Sequence, residues 1–263
     1  MRKLNSISKG IMTGLAAIVL GASPGRAQGP YQVDEHTRAL WHLDGNANDA
    51  TGVNNGSPNG SYSWSVGQFD EAILFPVVQY PNGGSVPIPN HPSLNENLNQ
   101  LTLEAWVYPD SLLTSHSNNI IRKNIGWPGC GNCEQYMLRI NENWQVQFTF
   151  AASTGGIPHF RVNYPFSNRQ WYHIAGTWDG TTAKIWVNRN LIFQSAYQPT
   201  SIFSQSTVPL YIGYAGWEDE FFGKIDEVRI SDIARDFTDT TSIPERYPAI
   251  EISTWGRVKQ TFK

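Results

Sequence analysis

Short runs in which apolar and polar residues alternate, each ended by a tight turn, constrain the fold of this chain more than any other feature. Leu101–Tyr108 alternates in this way, which is typical of a strand with two different faces. Trp171–Trp178 and Thr182–Val187 are joined through Asp179 and Gly180, a dipeptide that favours a tight hairpin. About a dozen such strands can be recognised, and no convincing helix lies between them. Strands of this kind bury their apolar residues by stacking two sheets, so we predict an all-β sandwich.

The composition and the spacing of the turns favour one large β domain. The chain of 263 residues contains 10 Trp, 11 Tyr and 12 Phe, and only 16% of its residues are charged. The strands fall within residues 38–235. Residues 28–37 are interpreted as a leader, and residues 236–263, which include two prolines, as a linker and a short C-terminal tail.

The first 27 residues have the pattern of a secretory signal peptide. Basic residues precede the apolar stretch Ile11–Ala22, and Gly25 and Ala27 supply small residues for cleavage before Gln28. The apolar stretch is too short to span a membrane, and no later segment is apolar enough to do so. We therefore expect an exported protein, located outside the cell, in the periplasm or on the cell surface. The alternative is an uncleaved anchor.

The charge of the remaining chain excludes some partners. Residues 1–27 hold four of the 19 basic residues and none of the 22 acidic ones, so the remainder has a formal net charge of −7. Nucleic acids and anionic lipids need clustered Lys and Arg, so we expect neither as a partner. The acidity is compatible with calcium, with neutral glycans and with basic protein surfaces.

The only two cysteines, Cys130 and Cys133, lie close together in a Gly-rich stretch. In an exported protein such a pair most simply forms a disulfide, which we predict here. A zinc site would need two further ligands, and no partner motif is present. A redox role would need a βαβ context, which is also absent.

Four segments together resemble a known family. They are residues 40–52, 101–107, 171–180 and 223–230, which read LWHLDGNANDATG, LTLEAWV, WYHIAGTWDG and GKIDEVRI. In this order they are similar to the LamG-like jelly-roll domains of secreted bacterial proteins, within the concanavalin A-like lectin/glucanase superfamily, over about residues 38–235. The resemblance implies a two-sheet antiparallel jelly roll. Lectins, adhesion modules, pentraxins and glycosidases share this fold, so it does not identify a ligand.

The resemblance also implies a structural calcium site. Such jelly rolls often hold calcium near the first of these loops, where this chain offers Asp44, Asn46 and Asp49. The late strand would contribute Asp226 or Glu227, and because neighbouring strand residues face opposite ways, only one of the two is expected to reach the ion. We assign this role to Asp226. The alternative is an Asx-rich turn beside a surface carboxylate.

Loop aromatics are the candidates for ligand contact. Sugars stack their apolar faces on exposed aromatic rings, while nearby carboxylates and amides bond the hydroxyl groups. Trp127 lies in the cysteine loop, and Trp217 is followed by Glu218 and Asp219 in a second loop. We predict these four residues as a glycan-binding set. The alternative is that both rings pack against the rim of the sandwich.

No carboxylate pair suitable for glycoside hydrolysis can be recognised. Glu218 and Glu220 have the even spacing that puts two side chains on one face, but they lie in a turn. Asp226 and Glu227 are adjacent, so they should face apart. A retaining glycosidase needs two carboxyl groups about 5 Å apart. No serine triad or zinc-protease signature is present either, so we predict no catalytic residues.

These observations predict a secreted, non-catalytic recognition or adhesion module that binds a glycan or an extracellular protein, with calcium holding the loop geometry. Two other functions stay open. One is a glucanase-like glycoside hydrolase, and the other is a structural protein of the cell envelope. The second would use the tail, because Trp255, Val258 and Phe262 share one face of a short helix.

Overall fold

The computed structural model describes residues 30–78, 82–111, 117–124, 134–204, 206–213 and 220–238. Their regular structure is almost entirely β, as predicted, with one short 3₁₀ helix at Pro92–Leu94. The strands are β1 (Thr37–Trp41), β2 (Ser63–Val66), β3 (Glu71–Phe75), β4 (Val86–Ile88), β5 (Leu101–Pro109), β6 (Asn118–Asn124), β7 (Glu134–Ile140), β8 (Gln145–Phe150), β9 (His159–Asn163), β10 (Tyr172–Trp178), β11 (Thr182–Val187), β12 (Asn190–Ala196), β13 (Leu210–Ile212) and β14 (Gly223–Ser231). No helix in these ranges is long and apolar enough to cross a membrane.

The strands form two antiparallel sheets. The larger has the order β12-β11-β10-β5-β14-β3-β2, with β1 paired to β14 as its eighth strand. The smaller has six strands in the order β4-β13-β6-β7-β8-β9. Strands that are neighbours in a sheet are often distant in sequence, as β5 and β14 are. The prediction of a two-sheet jelly roll is confirmed.

The predicted hairpin between β10 and β11 is present, and its turn shows why the sequence favours it. Gly180 adopts a φ of 93°, which a residue with a Cβ rarely reaches. The Asp179 carboxylate accepts hydrogen bonds from the amides of Thr181 (2.8 Å) and Thr182 (2.7 Å). The side chain therefore closes the turn, and the two strands leave it in register.

The main core lies between the two sheets. Phe148 and Phe150 project from β8 toward Trp178 on β10, and all three side chains are fully buried. Gly176 makes this close approach possible, because a Cβ at this position would lie 2.4 Å from the ring of Phe148. Stacking aromatic residues on both inner faces accounts for much of the aromatic content of the chain.

A second apolar cluster covers the opposite side of the eight-stranded sheet. We call it the outer cluster; it consists of Tyr31, Leu40, Phe69, Trp106, Ala175, Trp186 and Phe237, with Trp171 packed against it. Tyr31 and Phe237 are buried although they lie outside the limits 38–235 expected from the sequence. The packed unit therefore extends beyond those limits at both ends.

Candidate functional site

The outward surface of the six-stranded sheet is polar, in contrast to the covered surface of the other sheet. On β7, β8 and β9 most residues that alternate with the core residues carry hydrogen-bonding groups, and the apolar Met137 among them is buried. We call this surface the polar face; its members are Arg122, Glu134, Arg139, Gln147, Thr149, His159 and Arg161. His159 and Arg161 are the exposed members of the polar face and Arg139 is partly exposed, whereas Arg122, Glu134, Gln147 and Thr149 are buried.

Two arginines converge on one glutamine at the centre of the polar face. Arg139, Gln147 and Arg161 lie directly opposite one another on three neighbouring strands. The Nε atoms of Arg139 and Arg161 donate to Gln147 Oε1 over 3.2 and 3.1 Å. Because both lone pairs of this oxygen are directed at cationic donors, the orientation of the Gln147 amide is fixed.

The next row of the polar face continues this network. Gln147 Nε2 donates to Thr149 Oγ1 (3.1 Å) and lies 3.0 Å from Nδ1 of His159. Since the amide nitrogen can only donate, His159 Nδ1 must accept, and the neutral ring carries its proton on Nε2. Burial and the charge of Arg161 lower the pKa of His159, which favours this neutral form.

Trp144 lies at the edge of the polar face, in the turn between β7 and β8. The Asn141 side chain closes the turn by accepting hydrogen bonds from the amides of Asn143 and Gln145, both at 3.0 Å. Trp144 then takes a φ of 60° and leaves 36% of its surface exposed. A left-handed backbone costs a residue with a Cβ roughly 1 kcal/mol, so a strained, exposed tryptophan suggests a function.

Electrostatics connect this turn to the polar face. Hydrogen bonds from its own backbone amide and from Ser117, together with the charges of Arg139 and Arg161, lower the pKa of Glu142. The Ser117 hydroxyl donates to Glu142 Oε2 over 2.8 Å. The turn residues and the arginine pair therefore belong to one surface.

The sequence prediction did not identify this site. The run Trp144–Phe150 predicts a strand that begins at Trp144, whereas β8 begins at Gln145. The sequence nevertheless contains a signal for this site. An Asn-Glu-Asn turn places the residue that follows it in the left-handed position that closes a three-residue hairpin, and glycine is common at that position. A tryptophan at a position that favours glycine is therefore the sequence signal for this site.

Two of the predicted metal ligands, Asp44 and Asp226, are close enough to interact electrostatically. Asp226 is fully buried, and its Oδ2 accepts hydrogen bonds from the amides of Gln68 (2.8 Å) and Phe69 (2.9 Å), while Oδ1 is buried without a hydrogen-bond partner. Burial, with added repulsion from Glu227 and Asp44, raises the pKa of Asp226 to about 9. Asp44 accepts from the Glu71 amide over 2.9 Å. Burial also raises the pKa of Asp44.

The other two predicted ligands are engaged elsewhere. Asp49 accepts five hydrogen bonds, from the Leu40 amide and from the main chain and side chains of Thr51 and Asn54. Asn46 bonds within its own turn, accepting from the Asn48 amide at 2.9 Å. Both therefore have the Asx-turn role that was the alternative. Across the described ranges, no set of three or more His, Cys, Asp or Glu side chains is arranged to hold a metal ion.

A bulge in β14 separates the partners of Asp226 and Glu227. The register with β5 shifts between Asp226 and Arg229, and Glu227 has a φ of 49°. Glu227 Oε1 lies 2.7 Å from His42 Nδ1, and Oε2 accepts from the Tyr31 amide over 2.8 Å. The two adjacent carboxylates thus bind different partners.

Several predicted residues lie outside the described ranges. They are the ligand-binding set Trp127, Trp217, Glu218 and Asp219, and the predicted disulfide partners Cys130 and Cys133.

Comparisons with known proteins agree with this architecture. Residues 81–239 match a family model described as the concanavalin A-like lectin/glucanases superfamily.

Domain 4 of AbnA, a GH43 extracellular arabinanase from Geobacillus stearothermophilus solved with arabinotriose, is structurally similar to this chain. The TM-score is 0.59, and the identity is 19% over 78% of this chain and 97% of that one. The binding domain of Paraclostridial Mosquitocidal Protein 1 has a TM-score of 0.58 and 12% identity, covering 80% of this chain. The binding domain of Botulinum neurotoxin DC, solved with rat synaptotagmin II, has a TM-score of 0.58 and 16% identity over 77% of this chain. This chain spans about half of each toxin structure, 52% and 49%. Curated protein sequences gave no match.

Proposed function

Because the chain belongs to the concanavalin A-like lectin/glucanases superfamily, we propose that it is a non-catalytic glycan-binding module that binds through its polar face. The observation that carries this proposal is the exposed ring of Trp144 beside a fixed row of hydrogen-bonding side chains. An aromatic ring accepts the apolar face of a sugar, and oriented polar groups select its hydroxyl pattern.

The similar structures support a binding role of this kind. AbnA domain 4 was solved in complex with arabinotriose, and the neurotoxin DC binding domain in complex with the protein rat synaptotagmin II. We favour a glycan over a protein surface because the exposed sheet residues of the polar face, His159 and Arg161, are polar, whereas most protein interfaces are anchored by an apolar centre.

A binding role also fits the chemistry of the acids better than hydrolysis does. Glu104 is fully buried beneath the outer cluster and is bonded by Arg229 and His173. On the polar face, Glu134 is held by Arg122 at 3.0 Å. General acid catalysis on a sugar needs a carboxyl group that reaches the substrate, and arginine-paired or covered carboxylates are poorly suited to it.

Calcium is the second part of the proposal. Asp226 fits such an ion, because its Oδ1 is buried with no hydrogen-bond partner and a nearby cation would offset the cost of its charge. Asp44 would be the second carboxylate, with main-chain or amide oxygens completing the shell that calcium requires. The ion would fix the 42–49 loop against β14.

We also propose that the protein is exported, with residues 1–27 as the signal peptide and Cys130 and Cys133 as a disulfide. Export to an oxidising compartment would favour that disulfide. A glycan-binding module outside the cytoplasm would meet its ligands on cell surfaces or in the medium.

The test is a glycan array probed with residues 28–263, as wild type, Trp144→Ala and Leu191→Ala. Leu191 is the control because it is similarly exposed, at 42%, but lies on β12 of the other sheet. We expect Trp144→Ala to weaken binding roughly 10-fold through lost stacking, with Leu191→Ala unchanged. Glycan binding that Trp144→Ala leaves intact would place the site elsewhere. Binding to protein receptors but to no glycan would make the module a protein-binding one.

A further inference from the structure

The polar face offers donors rather than acceptors. Arg161 uses Nε to bond Gln147, and within the described residues it makes no other hydrogen bond or ion pair. Its two terminal nitrogens are therefore available on an exposed side chain. His159 adds a further donor, because its Nδ1 faces Gln147 and Thr149 and its protonated Nε2 is on the opposite side of the ring.

The acceptors on Gln147, Thr149 and Glu134 are bonded or buried, and Glu134 Oε2, which has no hydrogen-bond partner, is itself buried. Gln147 Oε1 receives two guanidinium donors, and Thr149 Oγ1 receives the Gln147 amide. Glu134 is paired with Arg122. A neutral sugar hydroxyl donates as well as accepts, so a surface built for neutral sugars should provide free acceptors. A matching ligand for this surface must supply acceptors of its own.

The local charge differs in sign from that of the molecule. Among the residues that the structure describes, the polar face and its turn hold three arginines, Arg122, Arg139 and Arg161, and two glutamates, Glu134 and Glu142. The rest of the chain beyond residue 27 is strongly acidic. A small cationic surface on an acidic protein selects a short anionic ligand, because a long polyanion would meet repulsion beyond the site.

From this geometry we propose that the ligand of the polar face is an acidic oligosaccharide whose carboxylate binds the guanidinium of Arg161. The inference rests on the proposed function and specifies its ligand class. A planar guanidinium presents a fork of N–H groups that matches the two oxygens of a carboxylate. Trp144 precedes the Arg139–Gln147–Arg161 row by three residues, about 10 Å along the strand. The ligand must therefore be longer than a single sugar to contact both.

The test uses matched acidic and neutral probes in isothermal titration calorimetry. One pair is trigalacturonate and its methyl ester, and the other is sialyllactose and lactose, so that the carboxylate is tested on two sugar backbones. The proteins are wild type, Arg161→Gln, Arg161→Lys and the control Arg169→Gln. Arg169 is an exposed arginine, with 77% of its side chain accessible, that lies outside the polar face.

We expect the acidic member of at least one pair to bind about 10-fold or more tightly than its neutral partner, with an affinity that falls as salt is raised. Arg161→Gln should abolish this preference, and Arg161→Lys should restore only part of it, because lysine keeps the charge but not the fork. Arg169→Gln should behave as wild type.

The outcomes separate the two proposals. If neutral probes bind as well as acidic ones and Arg161→Gln has no effect, while Trp144→Ala weakens binding, the acidic-ligand inference is overturned and the glycan-binding function stands. If no glycan of either kind binds on the array or in the calorimeter, the proposed function fails and this inference fails with it.

Discussion

At the scale of single residues, the buried carboxylate of Glu104 on the eight-stranded sheet is hydrogen-bonded to both Arg229 and His173. Arg229 Nε donates to Glu104 Oε1 over 2.7 Å, and His173 Nε2 lies 3.0 Å from Glu104 Oε2. Burial alone would raise the pKa of Glu104, but the charge of Arg229 and the His173 hydrogen bond outweigh it and lower the pKa to about 2. Burial lowers the pKa of His173. A neutral histidine thus donates to an ionised glutamate.

Replacing Glu104 by Gln should reduce the free energy of unfolding by about 3 kcal/mol or more at pH 7, because it leaves the Arg229 charge buried without its partner. An acid whose folded pKa is depressed contributes stability above its unfolded pKa, and this is lost as the pH falls toward the folded value. The difference in the free energy of unfolding between Glu104→Gln and the wild type, measured by urea unfolding, should therefore shrink as the pH falls from about 4.5 to 2. Glu35→Gln is the control, since that side chain is 88% exposed. Equal stabilities at pH 7 would contradict this account.

Trp144 tests whether strain is retained for binding. Trp144→Gly should raise the free energy of unfolding by about 1 kcal/mol, because glycine adopts a positive φ without a steric cost. The same change should remove glycan binding. Arg169→Gly is the matched control, since Arg169 has a φ of 63°; it should gain similar stability and bind normally. A Trp144→Gly variant that loses stability would indicate that the ring packs for structural reasons.

At the scale of elements, regular strands could be predicted and irregular ones could not. Thr182–Val187 was predicted with its observed limits, because alternation and turn residues are local properties. The run Phe69–Phe75 predicts a strand from Phe69, whereas β3 begins at Glu71, because residues 67–70 form the turn after β2. The edge strand β2, Ser63–Val66, was missed because its serines and exposed positions give no apolar pattern.

The bulge in β14 was equally hidden. On one side, β14 pairs with β5 along its length. On the other side, it pairs with β3 over Gly223–Ile225 and with β1 over Val228–Ser231. The bulge lies where the partner on this second side changes from β3 to β1. Such a shift depends on which distant strands arrive on each side, so the residues around it do not encode it locally. The position of Asp226 beneath residues 68–69 follows from this shift. For the same reason the candidate cation site could be only partly predicted.

Calcium should raise the thermal midpoint of the wild type at pH 7, and a chelator should reverse the effect. Calcium should not change the thermal midpoint of Asp226→Asn. Without calcium, the raised pKa of Asp226 means that stability falls as the pH rises from about 4 toward 9, and the Asn variant should lack this decline. Asp49→Asn is the control, because its hydrogen bonds anchor the loop; it should be destabilised equally with and without calcium. A calcium response that survives in Asp226→Asn would rule out this site.

At the scale of the whole molecule, the outer cluster joins the two ends of the folded unit. Tyr31 and Phe237 cover the eight-stranded sheet, so the six-stranded sheet is the one with a polar outward surface. Under the proposed function, the covered sheet contributes stability and the six-stranded sheet binds the ligand.

Residues 38–235 alone should therefore be much less stable than residues 30–238. The shorter fragment lacks Tyr31 and Phe237, and losing two buried aromatic side chains should cost about 5 kcal/mol. Denaturant unfolding measures the difference, and binding of an apolar dye should rise as Trp106 and Trp186 become exposed. Equal stabilities would show that the outer cluster does not contribute to the folded unit.

The central claim is that the polar face is the contact surface. The most direct test is an NMR titration of uniformly ¹⁵N-labelled residues 28–263 with the strongest glycan from the array. The account predicts that the perturbed backbone amides fall on β7, β8 and β9 and in the 141–145 turn. Perturbations confined to the outer cluster or to the 44–56 loop, with β7 to β9 unchanged, would contradict it.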